Sequence, residues 1–155
     1  MKEEFKNILI FSFAFVILDQ IIKIFISSKM VLGQSFVLLK NLLSVTLVHN
    51  TGAAFNILNE SRYVLIAIGI AAVLILVLFI QAQDLINDTD IFIYSLLFGG
   101  IIGNLIDRIV HGYVIDYISF NVGNFYFPVF NIADICIVLS VVIILLRMIG
   151  ETTWK

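Results

Sequence analysis

Cysteine occurs once in this chain, at Cys136, and histidine twice, at His49 and His111. A single cysteine excludes an internal disulfide framework and a cysteine-rich metal site. No H-x-x-x-H or C-x-x-C spacing is present, so no zinc-type ligand set can be recognised. Neither histidine offers a general base to a nearby serine or cysteine nucleophile. Charge is scarce as well. Asp, Glu, Lys and Arg make up 13% of the residues, against about 25% in soluble domains. The formal net charge of −2 gives no basic surface for nucleic acid.

What fills the sequence instead is grease. Hydrophobic residues make up 61% of it, where a soluble domain holds about 45–50%. A core cannot absorb that excess in so short a chain, so the outer surface must be apolar too, as in a membrane protein. Four segments, 7–26, 63–82, 91–109 and 132–149, each approach the ~20 residues that cross a ~30 Å hydrocarbon layer. The first follows Lys2 and Lys6 as a signal peptide would. Its apolar run continues past Asp19 and Lys23, however, and "FISSKM" is a poor cleavage site, so it reads as a retained helix.

Four spans put both termini on one side. Basic residues hardly say which: Lys2, Lys6, Arg147 and Lys155 flank one face, and Lys29, Lys40, Arg62 and Arg108 the other. The lysines at the start lean N-inside. The short connection 83–90 carries Asp84, Asp88 and Asp90 and no base. The long connections, 27–62 and 110–131, share the face opposite the termini. Within the first, "LSVTLVHN" (43–50) alternates as a half-buried strand does, and "NTGAAF" (50–55) reads as a turn.

Polar residues cluster at one depth. Asp19 and Lys23 lie near the far end of span 1, Asn104, Asp107 and Arg108 near the far end of span 3, and Asn131 and Asp134 at the head of span 4. An up-and-down course gathers them in one leaflet, beside His49, Asn50 and Asp116. Ionisable groups embedded in membranes commonly mark function. Each has a local alternative. Asp19 and Lys23, four apart, fit a plain ion pair on one helix face. Asn104, Asp107 and Arg108 fit helix–helix glue. Asn131 fits a helix cap with Asp134 in the first turn. His49 fits an interfacial residue. Asp116, set among Val114, Ile115, Tyr117 and Ile118, has the weakest structural excuse. Two aspartates converging on one site cannot both ionise easily. They share a proton, one acting as base and one as acid, and can activate water for amide hydrolysis without a metal.

The stretches "DQIIK" (19–23), "NTGAAF" (50–55), "GNLIDR" (103–108), "VIDYI" (114–118) and "FNIADICI" (130–137) together resemble the lipoprotein signal peptidases (signal peptidase II) of bacteria, in family order. The resemblance implies a single membrane-embedded peptidase domain, 1–155. Its fold would be four transmembrane helices with a small β cradle on the extracytoplasmic face. It implies an aspartic endopeptidase that cuts prolipoproteins just before a diacylglyceryl-modified cysteine. The catalytic pair would be Asp116 and Asp134. Substrate-binding or supporting residues would be Asp19, Lys23, Asn50, Gly52, Asn104, Asp107, Arg108 and Asn131. It implies no cofactor, no metal and no nucleic acid; the expected partners are the lipidated substrate and membrane lipid, and the expected state is a monomer. Both termini would be cytoplasmic in the bacterial cytoplasmic membrane. Two departures stand out: His49 replaces a basic residue common before the asparagine motif, and the acidic connection 83–90 ill fits a cytoplasmic loop. The alternative reading is a small proton-coupled transporter or channel subunit.

The even span count and the implied orientation give a first prediction. In a Cys136→Ala background, cysteines placed at Ser44 and Asn121 should react with an impermeant thiol reagent outside intact cells, and one at Asn87 should not. Labelling at Asn87 alone would invert the topology.

Overall fold

The computed structural model describes residues 2–52, 58–83, 85–123 and 125–153. Part of the "NTGAAF" turn, with Asp84 and Lys155, lies outside these residues. In chain order the elements are α1 (Lys2–Lys29), β1 (Ser35–Leu39), β2 (Leu43–Asn50), α2 (Arg62–Gln81), α3 (Asp88–Val110), β3 (Val114–Val122), β4 (Phe125–Tyr126) and α4 (Ile132–Thr153). All four helices are long and apolar enough to cross a membrane. With the small antiparallel sheet they make the expected class, a polytopic helical membrane protein. Helix α1 outruns its expected span at both ends. Glu3 and Glu4 in its first turn and Lys29 in its last suit the helix dipole.

Helix α3 is the central post and packs against the other three. Its small residues set how closely they approach. A Cβ on Gly99 would lie 2.8 Å from Phe15 of α1, and one on Gly100 would lie 2.5 Å from the carbonyl oxygen of Ala133 in α4. The outer faces stay apolar because lipid offers nothing to hydrogen-bond: Leu74, Ile75 and Leu78 of α2 and Val138, Leu145 and Leu146 of α4 are exposed. At the end that carries the termini, Ile8, Leu76, Ile80, Ile91 and Ile93 close an apolar core. The acidic connection has local work there. Asn87 and Asp90 cap α3 reciprocally, at 3.0 and 3.1 Å, and Asp90 also pairs with Arg147 of α4. Asp90 thus serves two helix ends at once.

At the opposite end the four strands lie in the order β1-β2-β3-β4. Only β2 was legible as a strand. The residues Val114–Tyr117 of β3 are all buried, so they show no alternation to betray a strand. Strand β2 runs antiparallel to β3 with Val48 opposite Asp116 and Asn50 opposite Val114. After β4 the chain returns to bridge Phe130 with Ile118. That bridge delivers the head of α4 to the flank of β3.

The close approach at Gly100 is testable. Gly100→Ala should cost about 1–3 kcal/mol by overpacking against a backbone oxygen, whereas Gly150→Ala, whose Cβ meets nothing within 4 Å, should be neutral or better. Both replace a helical glycine by alanine, so their difference in thermal unfolding in detergent reports chiefly the clash. Equal Tm values would contradict this packing.

Candidate active site

The pairing of β2 with β3 buries Asp116 to 1% exposure. Its carboxylate is held by two amides: Asn50 Nδ2 donates to Oδ2 at 2.9 Å and Asn131 Nδ2 to Oδ1 at 2.7 Å. The Asn50 amide is itself oriented, because the Gly52 N–H donates to its Oδ1 at 3.0 Å. At the head of α4, Asn131 caps the helix as the local reading expected. Its Oδ1 accepts the Asp134 N–H at 2.9 Å, and its own N–H donates to Asp134 Oδ2 at 3.1 Å. The remaining Asp134 oxygen accepts from Asn104 Nδ2 at 2.7 Å. Asn131 therefore touches both acids, capping α4 and bracing Asp116 at once. The two carboxylates line one cavity of about 880 Å³, with Asn50, Asn104 and Arg108 on its polar side and Ile135, Val138 and Leu139 of α4 on its apolar side.

Burial first, and the charge of Asp134 second, push the Asp116 carboxyl from its ordinary 3.8 up to about 7; the Asn50 and Asn131 amides and the Lys23 charge pull the other way. A buried acid poised near neutrality beside a second carboxyl can hold one proton between the pair. Such a pair can act as general acid and general base in turn.

Beneath the pair lies a buried ion cluster. Lys23 Nζ meets Asp19 Oδ2 at 2.7 Å, as the i, i+4 spacing foretold, and also Asp107 Oδ2 of α3 at 2.9 Å. Arg108 reaches backbone carbonyls. Its Nη2 donates to the Gly52 carbonyl at 3.0 Å and its Nη1 to the Asn104 carbonyl at 3.4 Å, tying α3 to the loop after β2. Among the described residues no three His, Cys, Asp or Glu side chains gather as a metal-binding group.

Sequence reasoning missed several supports. Gln20, one residue past Asp19, donates to Asp107 Oδ1 at 2.9 Å; its polar side chain among apolar neighbours was the available signal. Arg62 donates to the carbonyls of Arg108 and Ile109 at 3.0 and 2.7 Å, capping the C-terminus of α3. His49 lines the cavity and stacks on Tyr113, ring centroids 3.8 Å apart, with His111 at 5.7 Å on the same tyrosine. Burial and the His111 charge lower its pKa. It stands in the wall as a stacked ring.

A family model described as signal peptidase (SPase) II matches residues 11–150. The lipoprotein signal peptidase of Staphylococcus haemolyticus is 35% identical over 147 residues, 95% of this chain and 93% of the relative. That of Symbiobacterium thermophilum is 33% identical over 134 residues, 86% of this chain and 88% of the relative. Two solved structures, each described as a bacterial membrane enzyme, superpose closely. One, at 2.3 Å resolution, has a TM-score of 0.89 at 33% identity and covers 97% of this chain and 92% of its own. The other, at 1.9 Å, has a TM-score of 0.83 at 34% identity and covers 92% of each chain.

The raised pKa of Asp116 has a consequence for stability. Between 3.8 and about 7 the folded state holds a proton that the unfolded chain has released. The stability it contributes is complete at low pH and lost as pH rises through that window. At ~1.4 kcal/mol per unit the effect is a few kcal/mol. Thermal unfolding in detergent should show the wild-type Tm falling from about pH 4 to about pH 7, and Asp116→Asn should flatten that slope. A slope unchanged by the substitution would assign it to other groups.

Proposed function

This chain belongs to the signal peptidase II family, the aspartic peptidases that remove signal peptides from prolipoproteins, and we propose that it cleaves just before a diacylglyceryl-modified cysteine with Asp116 and Asp134 as its catalytic pair. The observation that carries the proposal is the convergence of both carboxylates on Asn131, in one cavity, at the end of the bundle away from the termini. In this reading the chain is one monomeric domain with both termini cytoplasmic. The segments 27–62 and 110–131 face outward, and the cavity sits at the depth where a lipidated cysteine meets the outer interface.

The chemistry follows from the geometry. The pair holds one proton. Asp116, with its raised pKa, is suited to keep it, and Asp134 to take a proton from water. The hydroxide so formed adds to the scissile carbonyl carbon. The protonated acid then delivers its proton to the departing amide nitrogen as the C–N bond breaks. A carboxyl-ended signal peptide and an amino-ended lipidated cysteine leave, and the pair again holds one proton. Asn50 and Asn131 keep the acids in register. Gly52, held by Arg108, brings backbone to the rim where the unwound substrate would lie. The apolar flank of α4 suits the diacylglyceryl chains. The transporter alternative lacks a polar path through the apolar core around Ile8, Leu76 and Ile80.

Asp116→Asn and Asp134→Asn should each reduce cleavage of a lipidated prolipoprotein by about 100-fold or more while the protein still accumulates in the membrane. Wild-type kcat/KM should be bell-shaped in pH, with apparent pKa values that belong to the pair, and indifferent to EDTA. Near-normal turnover by either variant, or activity lost to EDTA and restored by Mg²⁺ or Zn²⁺, would overturn the mechanism.

A further inference from the structure

We propose that the buried Asp19–Lys23–Asp107 ion triad is the positioning device of this active site, each of its carboxylates holding the backbone N–H just before one catalytic aspartate while Lys23 ties the two together. The proposal rests on the reading of Asp116 and Asp134 as the catalytic pair. It goes beyond that reading by assigning what sets the distance between them.

The acids come from unlike elements, a strand and a helix, and something must hold their backbones at a fixed separation. Asp107 Oδ2 accepts the N–H of Ile115, next to Asp116, at 3.0 Å. Asp19 Oδ1 accepts the N–H of Ala133, next to Asp134, at 3.1 Å. The other Asp19 oxygen and the same Asp107 oxygen converge on Lys23 Nζ, at 2.7 and 2.9 Å. Glue between α1 and α3 would need only the ion pair. The two N–H anchors belong to neither helix, and each precedes a catalytic residue by one position.

The ammonium has three protons. Two go to the carboxylates, and the third is used on Asn104 Oδ1, at 3.2 Å. An ammonium can only donate, so it faces the Asn104 oxygen and turns the amide nitrogen onto Asp134. Lys23 is 1% exposed, so no donor remains for substrate. Space for the triad is left by Gly103, where a Cβ would fall 2.7 Å from Asp19 Oδ2. Charge-assisted bonds in a low dielectric are short and stiff. Removing one partner leaves a buried charge uncompensated.

The separation of two coupled carboxyls is read in their titration. The closer they stand, the further apart their two apparent pKa values and the wider the bell. Other charges facing the pair also enter: Asp19 and Lys23 from α1, Asp107 and Arg108 from α3, His49 from β2 and the Tyr117 phenol from β3.

The test measures kcat, KM and bell width on detergent-purified Asp107→Asn, Asp107→Ala and Lys23→Met, beside Asp116→Asn and Asp134→Asn. Asp107→Asn keeps an acceptor for the Ile115 N–H but loses the negative charge that faces Lys23. It should lower kcat between about tenfold and 100-fold, leave KM within about twofold, and narrow the bell. Lys23→Met should narrow it and move both limbs to higher pH, since a cation that favours the ionised acids is gone. Asp107→Ala should be worse than Asp107→Asn. If the alanine variant fails to accumulate, the isosteric one decides. Asp107→Asn with wild-type kcat and full bell width, even at a lowered Tm, would make the triad merely structural and overturn the proposal. Normal cleavage by Asp116→Asn or Asp134→Asn would instead sink the catalytic pair itself.

Discussion

Carboxylates gathered at membrane depth must find donors from the protein, because lipid supplies none. Asp19, Asp107, Asp116 and Asp134 all meet this condition, and every one of their oxygens has a partner. The donors divide into two kinds. Asp19 and Asp107 receive an ammonium. Asp116 and Asp134 receive neutral amides and a backbone N–H. A cation favours the ionised form of an acid beside it. Neutral amides also favour the ionised form, but at Asp116 burial and the charge of Asp134 outweigh them. One physical requirement is satisfied in two ways, by a cation at Asp19 and Asp107 and by neutral donors at Asp116 and Asp134.

The rest of the fold serves to bring those donors together. Helix α3 supplies Asn104, Asp107 and Arg108 from one end and approaches α1 and α4 closely through glycines. The sheet supplies Asp116 and Asn50 from adjacent strands. The return of Phe130 to Ile118 brings the cap of α4 against β3. Polar groups and strand backbone sit at one end of the bundle, and a closed apolar core at the other. That asymmetry suits a hydrolase working at an interface, where water must enter from one side only.

Much of this was visible in the residues. The four helices, the single-leaflet depth of the polar groups, the isolation of Asp116 and the strand at 43–50 follow from hydropathy, spacing and alternation. Strand β3 was not visible, because burial on both faces erased its period. Asp90 of the acidic connection takes part in a helix cap and an ion pair with Arg147 that its charge alone did not announce. His49 read as an interfacial residue, and the structure stacks it on Tyr113 in the cavity wall.

Composition and period by themselves determined that this chain spans a membrane, how many times, and which residue types wait at the interface. Those properties are local sums along the chain, and solvent transfer fixes them before any packing. Tertiary structure alone decided which polar residue meets which. Lys23 could be read as the partner of Asp19 from their spacing, but only the approach of α1 to α3 gave it Asp107 and Asn104 as well. Asn131 could be read as a cap, but only the turn of the chain after β4 gave it Asp116. Hydrogen bonds reach about 3 Å, and contacts that short between distant residues are created by packing.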